Sequence, residues 1–574
     1  MMAVTTGPGF IELYTPKLVT VLRERYRLAD LRADLLSGLT VAIVALPLSM
    51  AIAIASGVTP DRGLYTSIVG GFVVSALGGS RFQIGGPAGA FIVLVSATVA
   101  AYGLDGLLLA VLLSGLIMLA VGLLQLGAFI KYIPYPVTVA FTFGIAIIIF
   151  TSQVKDLLGL TLAGPEPGPF LAKLEALGQA LPTVSPAAVG ISGLSIATIL
   201  LVRHLRPHWP SYLIAVCLGS VLAAALHLPV DTIGTRFGGI PRSLPLPHLP
   251  AFSLAQIVQV FPAALSFALL GSIESLLSAV VADSMTGRRH RSNCELVAQG
   301  VANVASSLFG GICVTGTIAR TATNVRAGAR GPLSGIFHAL FVLGFMVAAA
   351  PLASYIPLAA LAGVLAVVAW NMAEKQAFAT LLRASISDAL VLLVTLGLVV
   401  FRDLSSGILA GFGLSLLLFL HRMAKSVAVE GIPHMEGDVA DRTNGSRVPY
   451  DAALATDRDI VLYRISGAFF FGAAAGVAAA LDRIGEHPRA YIIDFSAVPL
   501  IDSTAAATIE GFVHKAHRRG AAIYLAAARP DVRRLFVAHG LGAPEVRFKA
   551  SVASALESAR QHLHRKPQAE AVTA

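Results

Sequence analysis

Twelve residues in the second half of the chain, Gly310-Gly311-Ile312-Cys313-Val314-Thr315-Gly316-Thr317-Ile318-Ala319-Arg320-Thr321, constrain the fold more than any other stretch. They lie between long apolar runs, yet they are crowded with glycine and threonine and include one arginine. A continuous membrane-spanning helix has no use for such residues, because its backbone is already hydrogen-bonded and lipid favours apolar side chains. A helix interrupted at this point does need them. Glycine lets the backbone open, and the first N–H groups of the helix that follows lack internal partners and can bind an anion. Arg320, a few residues into that half-helix, adds a fixed positive charge. A glycine-rich packing face between two helices would use similar residues, so the rest of the chain has to decide between the two.

Composition excludes a soluble protein. Of 574 residues, 56% are apolar and only 13% charged, with a mean hydropathy of +0.77. Apolar runs long enough to cross ~30 Å of hydrocarbon recur from Leu35 to Leu420. The net charge of +10 is therefore not a nucleic-acid footprint; much of it falls at helix ends, where basic residues orient a membrane protein. Cys217, Cys294 and Cys313 have no metal-ligand spacing and suggest no disulfide framework. The stretch Met1 to Asp30 lacks the apolar centre of a cleavable signal and reads as a cytosolic lead-in.

In chain order the apolar segments are Leu35–Ser56 (with Pro47 inside), Leu64–Leu77, a short one opened by Gly85-Gly86-Pro87-Ala88-Gly89-Ala90, Leu107–Leu126, Ile133–Thr151, Ala187–Val202 and Tyr212–Leu226. Proline-rich loops follow Gly159 and His227. The second half adds Ile257–Ala282, Leu296–Phe309, the Gly/Thr stretch, Leu333–Ala350, Leu358–Trp370, Ala389–Phe401 and Ile408–Leu420. With a cytosolic N-terminus, the loops on that side hold thirteen Lys and Arg residues, among them Arg81, Lys131, Arg288, Arg291 and Arg326, against six in the opposite loops. This is the positive-inside asymmetry, and a miscount by one element would scramble it.

The two halves echo each other. The third element begins at Gly85-Gly86 and the tenth at Gly310-Gly311, both short and glycine-interrupted. Seven elements per half start the second half from the opposite side of the membrane, which makes an inverted repeat. Matching short segments are the best sequence pointer to a transporter's site, with two positive helix ends meeting near the midplane.

Glu274 lies deep in the eighth element. An unpaired carboxylate there is costly, so it must face the protein interior, be paired, or be protonated. It can bind and release a coupling proton beside an anion, or form a structural ion pair with Arg320; both readings stay open. Asp283, Lys155 and Asp156 lie near element ends and read as interfacial. After His421 a polar linker leads to a small α/β domain with strands at Ile460–Ile465, Ala490–Phe495 and Ala521–Leu525. Asp502 or Ser503 caps its central helix. It shows no metal cluster and no phosphate loop.

With these stretches in view, the chain resembles bacterial members of the SulP family of anion transporters, the family of sulfate permeases, pendrin and prestin. The stretches concerned are Leu46-Pro47-Leu48-Ser49-Met50-Ala51, Gly63-Leu64-Tyr65-Thr66, Gly86-Pro87-Ala88 and Val314 to Thr321. The family's STAS domain is matched by Ile493-Asp494-Phe495-Ser496 and Leu500-Ile501-Asp502-Ser503-Thr504. The resemblance implies a polytopic α-helical membrane protein of fourteen segments in a seven-plus-seven inverted repeat, split into core and gate, with a cytosolic STAS domain. The expected boundaries are 1–32 for the N-terminal segment, 33–422 for the transport domain, 423–449 for a linker, 450–565 for the STAS domain and 566–574 for a polar tail. It also implies a bacterial inner-membrane homodimer with both termini cytoplasmic, and elevator-type alternating access.

Carried over by position, the anion site falls between the half-helices that open at Pro87-Ala88 and at Gly316-Thr317-Ile318. Leu48 and Ile52 of the first helix line it and Arg320 lies behind it. Leu48 and Ile52 are apolar where vertebrate members have glutamine and phenylalanine. Glu274, with Ser278 one turn on, matches the acidic position where sodium–bicarbonate symporters have aspartate. Glutamate there resembles proton-coupled members, including C4-dicarboxylate transporters, whose wording around Gly271–Ser278 and Ala319–Gly328 is close. Ser503 matches a serine that is phosphorylated in related domains, which makes it a regulatory candidate. The expectation is thus a non-enzymatic carrier of dicarboxylate, sulfate or bicarbonate, without cofactor or metal. It is driven by protons, or alternatively by sodium, and its STAS domain is open to a cytosolic partner. A channel-like anion conductor and a STAS-based sensor are the other classes.

Overall fold

The structure is a computed structural model that describes residues 13–24, 26–127, 134–164, 166–167, 169–206, 209–431, 459–482 and 488–570. Lys131, residue 133 of the expected fifth span, most of the expected linker, 450–458 and the end of the polar tail lie outside them. The chain forms two compact units, Met1–Phe412 and Gly413–Ala574.

Among the described residues of the membrane part, helices follow one another as α1 (Leu28–Ala55) and α2, the latter continuous through Pro60–Tyr65, a π-helical turn Thr66–Gly70 and Gly71–Leu77. A two-residue strand β1 (Gly85–Gly86) and a 3-10 turn Gly89–Phe91 lead into a helix spanning Ile92–Leu123. That helix breaks at Gly103, whose φ of 68° and ψ of −171° suit glycine alone, and so gives α3 (92–102) and α4 (104–123). Next come α5 (Tyr135–Leu158), α6 (Pro186–Leu205) and α7 (Ser211–Ala225). The second half supplies α8 (Leu254–Thr286), α9 (Ser292–Leu308), β2 (Thr315–Gly316) and α10 (Ile318–Arg326). It ends with α11 (Leu333–Ala353), α12 (Leu358–Met372), α13 (Ile386–Phe401) and α14 (Leu404–Lys425). Eight helices among the described residues are long and apolar enough to cross a membrane.

Packing sorts these helices into two sets. α1–α4 pack with α8–α11, whereas α5–α7 pack with α12 and α13. The α4–α9 contact is close because Gly115 and Gly300 face each other: a Cβ on either would lie 2.6 Å from the other's carbonyl oxygen. Small residues of this kind let helix backbones approach where lipid supplies no hydrophobic drive. The loops expected after Gly159 and His227 also carry short helices, Phe170–Ala180 and Ile233–Phe237. These bury only Leu177, Ala180 and Ile233, too few positions for their period to show in the sequence.

β1 and β2 pair antiparallel, with Gly85 opposite Gly316 and Gly86 opposite Thr315. The half-helices α3 and α10 therefore begin side by side and leave in opposite directions, as an inverted repeat requires.

The second unit holds a five-stranded sheet in the order β3 (Ala428–Gly431), β4 (Ile460–Ser466), β5 (Ala490–Ala497), β6 (Ala522–Ala526), β7 (Arg547–Lys549). β3 is antiparallel to β4 and the other pairs are parallel. On one face Ile465, Ile493, Phe495 and Leu525 pack against α15 (Phe471–Asp482), α16 (Ser503–Arg518) and α17 (Pro530–Ala538). On the other, Leu462, Ile492 and Tyr524 pack against Ala555 and Ala559 of α18 (Val552–Glu570). The stretch 423–449, which the sequence presents as a linker, thus contains the end of α14 and an edge strand. Four residues of strand are too few to show an alternating pattern.

Candidate functional site

The site grows from the close approach of β1 and β2. A Cβ on Gly86 would lie 2.1 Å from Arg320 Nη1, and one on Gly316 would lie 1.6 Å from Gln83 Nε2. A side chain at either position would have to displace the one it meets. The extended chain leading into β2 has its polar backbone groups satisfied by side chains from α2 and α9. Arg62 Nη1 donates to the Gly310 carbonyl at 2.7 Å, and the Ile312 N–H donates to Thr66 Oγ1 at 2.7 Å. Ser306 Oγ donates to the Ile312 carbonyl at 2.8 Å. Asn303 holds both groups of Val314, accepting from its N–H at 2.9 Å and donating to its carbonyl at 2.9 Å. A broken helix in hydrocarbon survives only with such partners.

On the other side of the crossing, the Thr317 N–H donates to the Ile84 carbonyl at 3.0 Å. The Ile84 N–H donates to Thr321 Oγ1 at 3.1 Å, and Ser278 Oγ donates to the same hydroxyl at 3.0 Å. Gln83 Nε2 donates to Ser275 Oγ at 2.8 Å, and Thr315 Oγ1 donates to the Gly271 carbonyl at 3.2 Å. Three turns of α8 therefore grip the crossing point.

Arg320 is 1% exposed. Its Nη1 donates to Ser67 Oγ at 3.2 Å; its Nη2 donates to Ser49 Oγ at 3.1 Å and to the Pro87 carbonyl at 3.2 Å. The π-helical turn of α2 brings Ser67 to this point, and such bulges recur at functional positions. Arg320 forms no ion pair with any described residue. A buried guanidinium held only by neutral oxygens keeps its charge uncompensated, which favours an anion nearby.

Of the residues expected at the site, Pro87 meets Arg320 directly. Ala88 is extended (φ −118°, ψ 147°) and precedes the 3-10 turn; it shares one buried apolar cluster with Leu48 and Ile52. Gly316 and Thr317 form the approach to α10, and Ile318, its first residue, is 36% exposed and opens the half-helix. Ser278 reaches Thr321 and not Glu274. Glu274 is half-buried; its Oε2 is sealed from solvent and has no hydrogen-bond partner, and it forms no ion pair with Arg320. The ion-pair reading of these two residues is therefore corrected: each projects from its own helix with other neighbours. Asp283 accepts from the His290 ring at 2.7 Å and Asp156 from Arg236 at 3.3 Å, as element-end residues do. In the second unit Asp502, not Ser503, caps α16 by accepting from the Ala505 N–H at 2.9 Å, and Ser503 is exposed in the first turn.

Gln83, Ser49, Ser67 and Asn303 escape the sequence reading. The one available signal was the polar stripe Gln299, Asn303 and Ser306–Ser307 along the second half of α9.

Against known proteins, the model of the sulfate permease family matches residues 31–395 and that of the STAS domain matches residues 451–555. The chain belongs to the sulfate permease family. YvdB of Bacillus subtilis (strain 168), which carries a sulfate-transporter name, is 37% identical over 90% of this chain and 95% of its own. The bicarbonate transporter BicA of Synechocystis sp. is 31% identical over 88% of this chain and 90% of its own. Among solved structures, the transmembrane domain of a cyanobacterial BicA is 32% identical, with a TM-score of 0.59 over 68% of this chain and 98% of that one. Murine Slc26a9 shares the fold, with a TM-score of 0.84 at 18% identity over 98% of this chain and 96% of that one. The family's polytopic helical fold with a STAS domain is thus the fold of this chain.

Gly316→Ala is expected to lower the thermal unfolding midpoint in detergent, because its methyl displaces the Gln83 amide; overpacking of this kind costs about 1–3 kcal/mol. Adding Gln83→Ala should recover part of that loss. A double variant no more stable than Gly316→Ala would refute the collision.

Proposed function

We propose that this chain is a secondary active carrier of a small anion, sulfate, bicarbonate or a C4-dicarboxylate, and that Glu274 carries a coupling proton. The observation that carries the reading is the crossing of β1 and β2. It aims two helix N-termini from opposite repeats at one place, with the uncompensated Arg320 behind them. Backbone N–H groups at the starts of α3 and α10 hold the anion, and Leu48, Ile52, Ala88 and Ile318 form its apolar walls. The names of the relatives support sulfate and bicarbonate; the wording around Gly271–Ser278 supports dicarboxylates.

Coupling follows from charge. Glu274 has one sealed oxygen and no counter-ion among the described residues, so an ionised side chain is costly whenever its surroundings close to water. A proton taken up with the anion removes that cost and lowers the net charge that has to cross. The preferential packing of α1–α4 with α8–α11, with α1 also touching α7 and α12, supports an elevator movement of that set against the remaining helices. The bias of thirteen basic residues to six supports a bacterial inner-membrane protein with both termini cytosolic. A homodimer is the family's usual assembly. The exposure of Ser503 at the start of α16 supports a regulatory phosphorylation there, since added negative charge is favoured at a helix N-terminus.

Three outcomes are expected. Arg320→Ala weakens anion binding roughly ten- to hundred-fold, the range for a lost hydrogen bond to a charged group, while Arg326→Ala leaves it within about two-fold; equal affinities would sink the role of Arg320. Ser503→Asp alters transport relative to Ser503→Ala; identical uptake and folding would remove regulation by charge at this position.

The central test is uptake of radiolabelled sulfate, bicarbonate and succinate into proteoliposomes at fixed membrane potential, with the pH gradient and sodium varied independently. Wild type should concentrate its substrate under an inward proton gradient. Glu274→Gln should bind and exchange but fail to concentrate. Uptake that follows sodium and not pH indicates sodium coupling through Glu274 and Ser278, and large unitary currents indicate a channel. Full accumulation by Glu274→Gln under a pH gradient alone would show that the carboxyl is structural.

A further inference from the structure

We infer that His338 is a positioning residue for Arg320, acting through water bound among the buried polar groups of α2, α10 and α11. This rests on the reading of Arg320 as the counter-charge of the anion, and deepens it.

α2, α10 and α11 bring a set of buried polar residues together. α10 presents Arg320 and, one turn later, Asn324. α11 presents Ser334 and, one turn later, His338. α2 presents Gly71 and Ser75. All the polar residues in this set are 2% exposed or less. Asn324 Nδ2 donates to Ser334 Oγ at 2.8 Å, which ties α10 to α11. A Cβ on Gly335 would lie 2.1 Å from Ser75 Oγ, which brings α2 against α11. His338 Nδ1 lies 3.6 Å from the point a Cβ on Gly71 would occupy, and the Gly85 carbonyl oxygen lies 2.9 Å from the same point. His338 Nδ1 and the carbonyl of Gly85, one residue before Gly86, thus flank the same Gly71 position, and Arg320 Nη1 packs against Gly86.

Within this set, five buried atoms have no hydrogen-bond partner: Arg320 Nε, Asn324 Oδ1, Ser75 Oγ and both ring nitrogens of His338. Buried polar atoms in folded proteins are satisfied, and internal water does so where protein atoms do not. The inventory here is complementary. The Nε–H of Arg320 is a donor, and a neutral imidazole offers one acceptor nitrogen and one N–H. Asn324 Oδ1 accepts, and Ser75 Oγ does both. Water between Arg320 Nε and the acceptor nitrogen of His338 fixes the plane of the guanidinium, so that Nη1 and Nη2 point to Ser67, Ser49 and Pro87. A histidine kept only for packing would bury two polar atoms for no return, where leucine or phenylalanine would fill the space better.

The test is the concentration dependence of uptake in proteoliposomes, using whichever of radiolabelled sulfate, bicarbonate or succinate the wild type takes up best. His338→Leu should raise KM roughly ten-fold, the scale of one buried hydrogen-bonded link, with the maximal rate within about two-fold. His338→Gln or His338→Asn, which keep an acceptor, should bring KM back to within about three-fold of wild type. Arg320→Lys removes the Nε–H; on its own it should raise KM, and in that background His338→Leu should add nothing. An unchanged KM in His338→Leu, a full additive loss in the double variant, or Gln and Asn variants no better than Leu would overturn the inference. If His338→Leu does not fold, the Gln and Asn variants decide: losses in both that add to that of Arg320→Lys overturn it, and a wild-type KM in either sustains it. Should Arg320→Lys by itself leave KM unchanged, the reading of the anion site fails, and that result does not involve His338.

Discussion

A helix broken inside hydrocarbon exposes backbone groups that lipid cannot satisfy, and the membrane part of this protein is built around meeting that requirement twice at one place. Asn303, Thr66, Ser306 and Arg62 take up the open backbone of 310–314. Thr317, Thr321 and Ile84 do the same across the crossing. These partners come from helices of both repeats, so neither break is stable without the other half of the chain. The cost of interruption therefore forces the two half-helix starts together, and their joint positive potential follows from that.

Arg320 and Glu274 divide the electrostatics between them. A guanidinium paired to a carboxylate would be neutral and indifferent to anions. Here Arg320 is held by two hydroxyls and a carbonyl, and Glu274 keeps a sealed oxygen without a donor. Neither group has a counter-charge among the described residues, which is a poor arrangement for stability and a useful one for binding and releasing ions. Ser278 and Ser275, on the turn after Glu274, grip Thr321 and Gln83, so the carboxyl sits on the same helical segment that fixes the crossing. Movement of one is mechanically felt by the other.

The soluble unit follows different rules. Its parallel strands β4–β6 are buried by helices on both faces, which explains their near-continuous apolar runs. Asp502 spends both carboxylate oxygens on backbone N–H groups, those of Ala505 and Phe471 at 2.9 Å each, and so fixes the entry to α16 beside the exposed Ser503.

The sequence by itself determined the class of protein, the places where helices break and the sign of the site. Glycine, threonine and one arginine together within apolar runs suit an opened backbone, and matching short segments in the two halves favour that use over a packing face. Only the tertiary structure decided who satisfies whom. Ser49, Ser67 and Pro87 meet Arg320 from more than 230 positions away, and nothing in a local pattern distinguishes these serines from those that bond their own helix. The separation of Glu274 from Arg320 was hidden too, because two opposite charges in a membrane look like a pair until their helices are placed. Gln83 and His338 were silent for a related reason. A polar side chain in an apolar stretch announces that it needs a partner, but the partner is chosen by how the two repeats cross.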